Sequence, residues 1–351
     1  MSESARSAGS LVSPYALAAY VACIAGVGAL LNCSLVAALL RTSKNGLMNI
    51  IVQLAVADLI LESTIIPELC YYNFRTWQFS NNGCIIYRGF NVLASTACSY
   101  FVITIALHTL AIVSLGEKII MKRIKQSEHE DDEELRSSRH SLVASSDSST
   151  PPRTMHVDYR LNVIKIPVIQ PIIFIWILSL SLSVPDFFLA TALPLDDVSS
   201  MCVIADTDHR LYVYSVLAIF NLILPTVLLT ISGFLVAIKL KSKRVLTFLD
   251  SCESTESLKL SLWLILTYII LCAPRSIFSG YILYSSSLTE GNNTSFIKTL
   301  HSNDTTTTIN LALSGASLGS AFLRPILCIL LLPSVRKVFA FGSLRADVNH
   351  V

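Results

Sequence analysis

Residues 54–59 read LAVADL, and the fifth letter, Asp58, sets a carboxylate in the middle of an apolar segment, 47–71, that is long enough to cross a bilayer. A charge at that depth costs several kcal/mol unless it finds water, an ion or a partner, so an acid inside a membrane span marks a candidate functional site. The same span also carries Glu62.

Working outward, a hydrocarbon core about 30 Å thick needs about 20 helical residues. That criterion selects seven segments: 17–40, 47–71, 84–116, 166–190, 211–238, 258–284 and 308–332, the last interrupted by Arg324. Only 14% of the chain is charged, against roughly 25% in soluble domains, which places it in the membrane class. The predicted fold is an all-α membrane protein, a seven-transmembrane helix bundle. A net charge of +2, with basic residues in short clusters, excludes nucleic acid as a partner. The sequence has no GxSxG, HExxH or P-loop, so no enzymatic activity is expected. The nine cysteines show no metal-ligand spacing, and neither metal nor cofactor is expected. The polar start MSESARSAGS runs straight into an uncharged segment, which reads as a spanning helix and its own insertion signal.

Basic residues alternate from side to side: Arg41 and Lys44 after span one, Lys118, Lys122, Arg123 and Lys125 after span three, Lys239, Lys241, Lys243 and Arg244 after span five, Arg336 and Lys337 after span seven. The positive-inside rule makes those ends cytoplasmic and the N-terminus, residues 1–16, extracellular. Asn292, Asn293 and Asn303 each begin Asn-x-Ser/Thr between spans six and seven, as expected of glycosylation acceptors on the outer side. Asn32-Cys-Ser lies inside span one and reads as a chance match. The second cytoplasmic loop, about 117–165, contains EHEDDEE at 128–134 and a serine-rich stretch; its low apolar content predicts disorder. The bundle occupies 17–342, and 343–351 form a cytoplasmic tail.

Seven spans, an outward N-terminus and LAVADL in the second span together resemble a rhodopsin-like G-protein-coupled receptor, from Asn32 to Phe339. Asn32 in GALLNCSLV is similar to the family's first-helix Asn, which bonds backbone near the second-helix acid. Pro67, Pro185, Pro225, Pro274 and Pro325 match helix kinks, and Trp176 matches the fourth-helix Trp. Cys84 and Cys202 resemble the cysteine pair that ties the second outer loop to the third helix, which implies a disulfide. PSVRKVFAF after span seven resembles the short amphipathic helix on the inner membrane face.

The departures from the pattern are as informative. Leu107-His108-Thr109 stands where the family reads Asp-Arg-Tyr, the segment that faces the G protein. Cys272-Ala273-Pro274 lacks the usual Trp, and Arg324-Pro325-Ile326-Leu327-Cys328 replaces Asn-Pro-x-x-Tyr. Two readings of Arg324 are open: its guanidinium pairs with Asp58 and makes the family's bound sodium ion redundant, or it bends away to the cytoplasmic interface.

A ligand pocket is expected in the outer half, between spans three, five, six and seven. Asn91 stands near the position where amine receptors carry an Asp, which disfavours a monoamine. Arg88 and Arg275, by position near the outer mouth, are candidate anchors for an anion, with snorkelling of Arg88 and pairing of Arg275 with an acid as the alternative. Against an anion stand Asp186, Asp196, Asp197, Asp206 and Asp208 in the second outer loop, a rim that would steer cationic peptides. The resemblance implies a plasma-membrane receptor for a peptide or small anionic ligand, with a heterotrimeric G protein as partner and arrestin and kinases at the second cytoplasmic loop. The alternatives are a seven-helix receptor that does not activate G proteins, or an ion-coupled transporter lined by Asp58, Glu62 and Arg324.

Overall fold

The computed structural model describes residues 10–42, 45–138, 166–194, 199–242, 252–288 and 304–336. Seven of its helices are long and apolar enough to span a membrane: α1 Pro14–Leu40, α2 Gly46–Phe74, α3 Asn81–Ile119, α4 Ile169–Leu189, α5 His209–Lys241, α6 Ser254–Ile282 and α7 Thr305–Leu331. By length and composition this is a multi-pass membrane protein. Between α4 and α5 lies an antiparallel hairpin, β1 Ala190–Pro194 and β2 Ser200–Ile204. The bundle end carrying this hairpin is called the outer face below.

α3 is the central post. It packs against α2, α4, α5 and α6, while α7 closes the ring against α1, α2 and α6. Two thirds of the apolar window of α3 is buried (67%), against 22% for α1 and α5, so the latter two spend most of their surface on lipid. Inside a bilayer the hydrophobic effect does not drive helices together; close packing and interhelical hydrogen bonds do. Phe101 on α3 meets Trp176 on α4 edge-on at 5.8 Å, and the Trp176 indole donates to Gln53 Oε1 on α2 at 2.9 Å. Gly315 and Gly319 on α7 form a flat stripe that lets Tyr20 approach, its hydroxyl donating to the Gly315 carbonyl at 2.7 Å.

Proline shapes the spans through the donor it lacks: each leaves the carbonyl four residues back without its helical partner. α2 breaks at Thr64, just before Pro67. In α5 and α6 the break is a π-helical stretch, Ala218–Ile223 ahead of Pro225 and Tyr268–Cys272 ahead of Pro274. A further π stretch, Ala22–Val27, interrupts α1.

One expectation is corrected. The helix of α3 does not end in a disordered loop near 117 but continues to Ser138, through the acidic block. Helix nucleation has already been met by the span, and Lys, Arg, Gln and Glu are good helix formers, so extension costs little. Residues 139–165 lie outside the described residues, as do the sequons at Asn292, Asn293 and Asn303. Of the amphipathic helix after α7, residues 333–336 are helical with Arg336 exposed; Lys337, Phe339 and the tail 343–351 fall outside the described residues.

Candidate functional site

In the middle of the bundle Arg324 pairs with Asp58, both side chains almost wholly buried (4% and 1% exposed). Its other terminal nitrogen donates to Ser320 Oγ at 2.8 Å, and the Cys98 thiol donates to Asp58 Oδ1 at 3.2 Å. Geometry explains why the guanidinium turns inward. Cα–Cβ bonds tilt toward a helix N-terminus, which for α7 is the outer end, so the side chain is directed along the bundle core and away from the inner headgroups. The snorkelling alternative is not the one adopted.

Beside this pair, Asn32 Nδ2 donates to the Ala321 carbonyl at 3.2 Å, the very group that Pro325 cannot serve. The same amide donates to Glu62 Oε1 at 3.0 Å. Asn32 is buried, in accord with its sequon being a chance match. The network therefore holds two carboxylates and one guanidinium. Asn32 Oδ1, Asp58 Oδ2 and Glu62 Oε2 are buried with no hydrogen-bond partner among the described residues. Because Glu62 is the acid without a cation of its own, Glu62→Gln, which keeps an acceptor for Asn32, is expected to leave thermal stability unchanged or raised; a fall of several degrees in Tm would contradict this charge count.

At the level of Cys98 on α3, Tyr268 of α6 donates to the Asn221 carbonyl at 3.2 Å, the carbonyl that Pro225 leaves without its α-helical donor. Tyr100 of α3 donates to the neighbouring Phe220 carbonyl at 2.9 Å, and Thr96 of α3 donates to the Asn221 side chain at 2.8 Å. Thus α3 and α6 both hold α5 at its irregular turn, a kind of segment often found at functional positions.

The three ligand candidates lie in the outer half, and each has a partner within the protein. Arg88 bonds Asp186 through Nε at 2.8 Å and Nη2 at 2.6 Å, with its guanidinium 5.2 Å above the Tyr214 ring. Arg275 pairs with Glu68, and Asn91 donates to the other Glu68 oxygen at 2.8 Å and to Thr64 Oγ1 at 3.3 Å. The Arg275–Glu68–Asn91 chain thus ties α6 to α2 and α3 in the outer half. Asp186 is corrected from a loop rim residue to a buried residue near the end of α4. Asp206 is exposed and bonded to His209, while Asp196 and Asp197 lie outside the described residues.

The Cys84–Cys202 disulfide joins α3 to β2. Trp77 supports it from the α2–α3 turn: its backbone N–H donates to the Ser200 carbonyl at 2.7 Å, and its ring lies 5.4 Å from Tyr87. At the opposite, inner end, Leu107 is exposed while His108 and Thr109 are buried. His108 packs against Gly46 at the start of α2, where an added Cβ would lie 3.1 Å from the ring. Thr109 accepts from Ser261 of α6 at 3.3 Å, Glu117 of α3 pairs with Lys239 of α5, and Leu110, Val113, Val236 and Leu258 fill the space between.

No protein-family model matches the chain and no curated protein matches it. Residue chemistry and geometry therefore carry the functional argument. Glu68, Asn221, Tyr268 and Trp77 belong to no motif that singles them out; Asn221 and Tyr268 were reachable only through the rule that a proline orphans the carbonyl four residues back.

Proposed function

We propose that the chain is a divergent rhodopsin-like receptor in the plasma membrane, N-terminus outside, that couples an extracellular ligand to its cytoplasmic face. The observation that carries this reading is the position of the proline-broken segments of α5 and α6. They lie between an outer polar cluster and a closed inner contact of α3, α5 and α6, and they share the Tyr268–Asn221 bond. A ligand that prefers one of two packings of these helices shifts a pre-existing equilibrium, and the inner ends report it. The mutual neutralisation of Asp58 and Arg324 favours a structural role over an ion path.

A second reading, a receptor that does not activate G proteins, is favoured by His108 standing in place of the family's Arg and by its burial against α2. Nucleotide exchange on a panel of heterotrimeric G proteins, with the purified chain in bilayers, separates the two. Exchange above the receptor-free rate is expected for at least one G-protein class. Silence across the panel selects the second reading, and cation flux in proteoliposomes selects a transporter and overturns both.

A further inference from the structure

A crevice of about 150 Å³ opens between α2 and α3 in the outer half of the bundle. Ser63, Thr64 and Pro67 of α2 form one wall, and Gly83, Tyr87 and Phe90 of α3 the other. Beside it Ile66 and Ile86 are half exposed on two apolar spans, so its mouth faces lipid. The sequence accounts for the gap. Pro67 has no N–H for the Ser63 carbonyl, α2 breaks at Thr64, and across from them Gly83 brings no side chain. Asn91 of α3 donates to Thr64 Oγ1 at 3.3 Å, which fixes the α2 wall against α3.

Size and hydrogen bonding define what fits. An apolar space of about 150 Å³ holds one six-membered ring, and the aromatic side chains of Phe79, Tyr87 and Phe90 offer edges and faces to it. A charged ligand is excluded, since ionic groups are expensive in hydrocarbon. The hydroxyl hydrogens of the α2 wall are already committed to their own helix: Ser63 Oγ donates to the Ile60 carbonyl at 2.6 Å and Thr64 Oγ1 to the Leu61 carbonyl at 2.7 Å. These oxygens therefore keep only acceptor lone pairs. Thr64 is buried and already accepts from Asn91, whereas Ser63 is exposed. We propose that this crevice binds a small neutral phenol that enters from the bilayer, donates its hydroxyl to Ser63 and lays its single ring among Phe79, Tyr87 and Phe90. The site is separate from the outer polar cluster, and its occupancy does not depend on coupling to a G protein.

Trp77 provides the readout. Its ring lies 5.1 Å from that of Phe79 and 5.4 Å from that of Tyr87, and a Cβ at Gly83 would lie 3.8 Å from it. The other two tryptophans, Trp176 and Trp263, are changed to Phe in the full-length protein, which is placed in bilayers and titrated with para-bromophenol, whose bromine quenches nearby indole fluorescence. Saturable quenching of Trp77 is expected. The methyl ether para-bromoanisole keeps the ring and the bromine but has no donor, and at equal concentration in the bilayer it should bind about 5–10-fold more weakly. Ser63→Leu fills the crevice from α2 and Ile86→Phe from α3; both side chains face outward, so the bundle should fold, and only unsaturable quenching should remain. Should one variant fail to fold, the other and the phenol–ether comparison on the unfilled crevice decide. Absence of saturable quenching by the phenol, equal affinity for phenol and ether, or saturable quenching that survives a filling variant overturns the proposal.

Discussion

Asp58→Asn is expected to destabilise the bundle by about 3–5 kcal/mol, and Arg324→Asn by a similar amount, because each strands one member of a buried ion pair. The double variant Asp58→Asn/Arg324→Asn removes both charges and leaves two amides able to bond each other across α2 and α7. It is expected to be more stable than either single variant. Thermal unfolding in detergent measures all three, with single-variant losses on the order of 10 °C. The protein with both residues intact should unfold at the same temperature in sodium and in choline buffers, since Arg324 already supplies the cation. Arg324→Asn should acquire a sodium dependence. A double variant no better than the singles, or sodium dependence with Arg324 in place, would contradict the pairing as the organising contact.

Removal of the Cys84–Cys202 bridge by Cys84→Ala/Cys202→Ala is the second large effect. In a soluble chain, cross-linking residues 118 apart restricts the unfolded state by about 4–5 kcal/mol. Here α3 and α4 remain inserted when the outer loop comes loose, so the freed ensemble is smaller and the expected cost is about 2 kcal/mol. The hairpin also retains other anchors: Ser200 Oγ donates to the Trp77 carbonyl at 2.6 Å, and the Ala192 N–H donates to Asn81 Oδ1 at 2.7 Å. Adding Trp77→Ala should therefore produce a larger drop than either change alone, together with rapid proteolysis between β1 and β2. Unchanged stability and protease resistance in the triple variant would mean that the cap is held by something else.

Much of this architecture was legible in the chain. Span boundaries follow from bilayer thickness and apolar run length, quantities that need no tertiary information, and the structure places every span within a few residues of its expected limits. Pro67, Pro225 and Pro274 marked where helices become irregular, although not that α5 and α6 would do so as π stretches, while α4 and α7 run through Pro185 and Pro325 as unbroken helix. The partners of the charges were less accessible. Arg275 meets Glu68 and Arg88 meets Asp186 because four helices reach a particular rotation and depth, and no local pattern encodes that register. The continuation of α3 to Ser138 was missed because low hydrophobicity was read as disorder, whereas charged helix formers following an established helix need no core to stay helical.

The paired arginines also change how the departures from the resembled family are understood. Arg324, Arg275 and Arg88 pair with Asp58, Glu68 and Asp186, so these charges join helices to one another. The inner face is closed by different chemistry from the family's Arg, namely the Thr109–Ser261 bond and the Glu117–Lys239 pair. Exposed pairs such as the latter contribute at most about 1 kcal/mol, so this closure can open at modest cost.

The claim that the bundle switches between two packings is tested most directly by the distance between the inner ends of α3 and α6. Spin labels at Lys118→Cys and Lys259→Cys, with Cys23 and Cys33, which are exposed, and Cys252 changed to Ser, permit that measurement by double electron–electron resonance. The account predicts two populations, a short distance matching the Thr109–Ser261 contact and a longer one enriched by ligand or by a bound cytoplasmic partner. A single narrow distribution, unmoved by every G protein and arrestin tried, would contradict it.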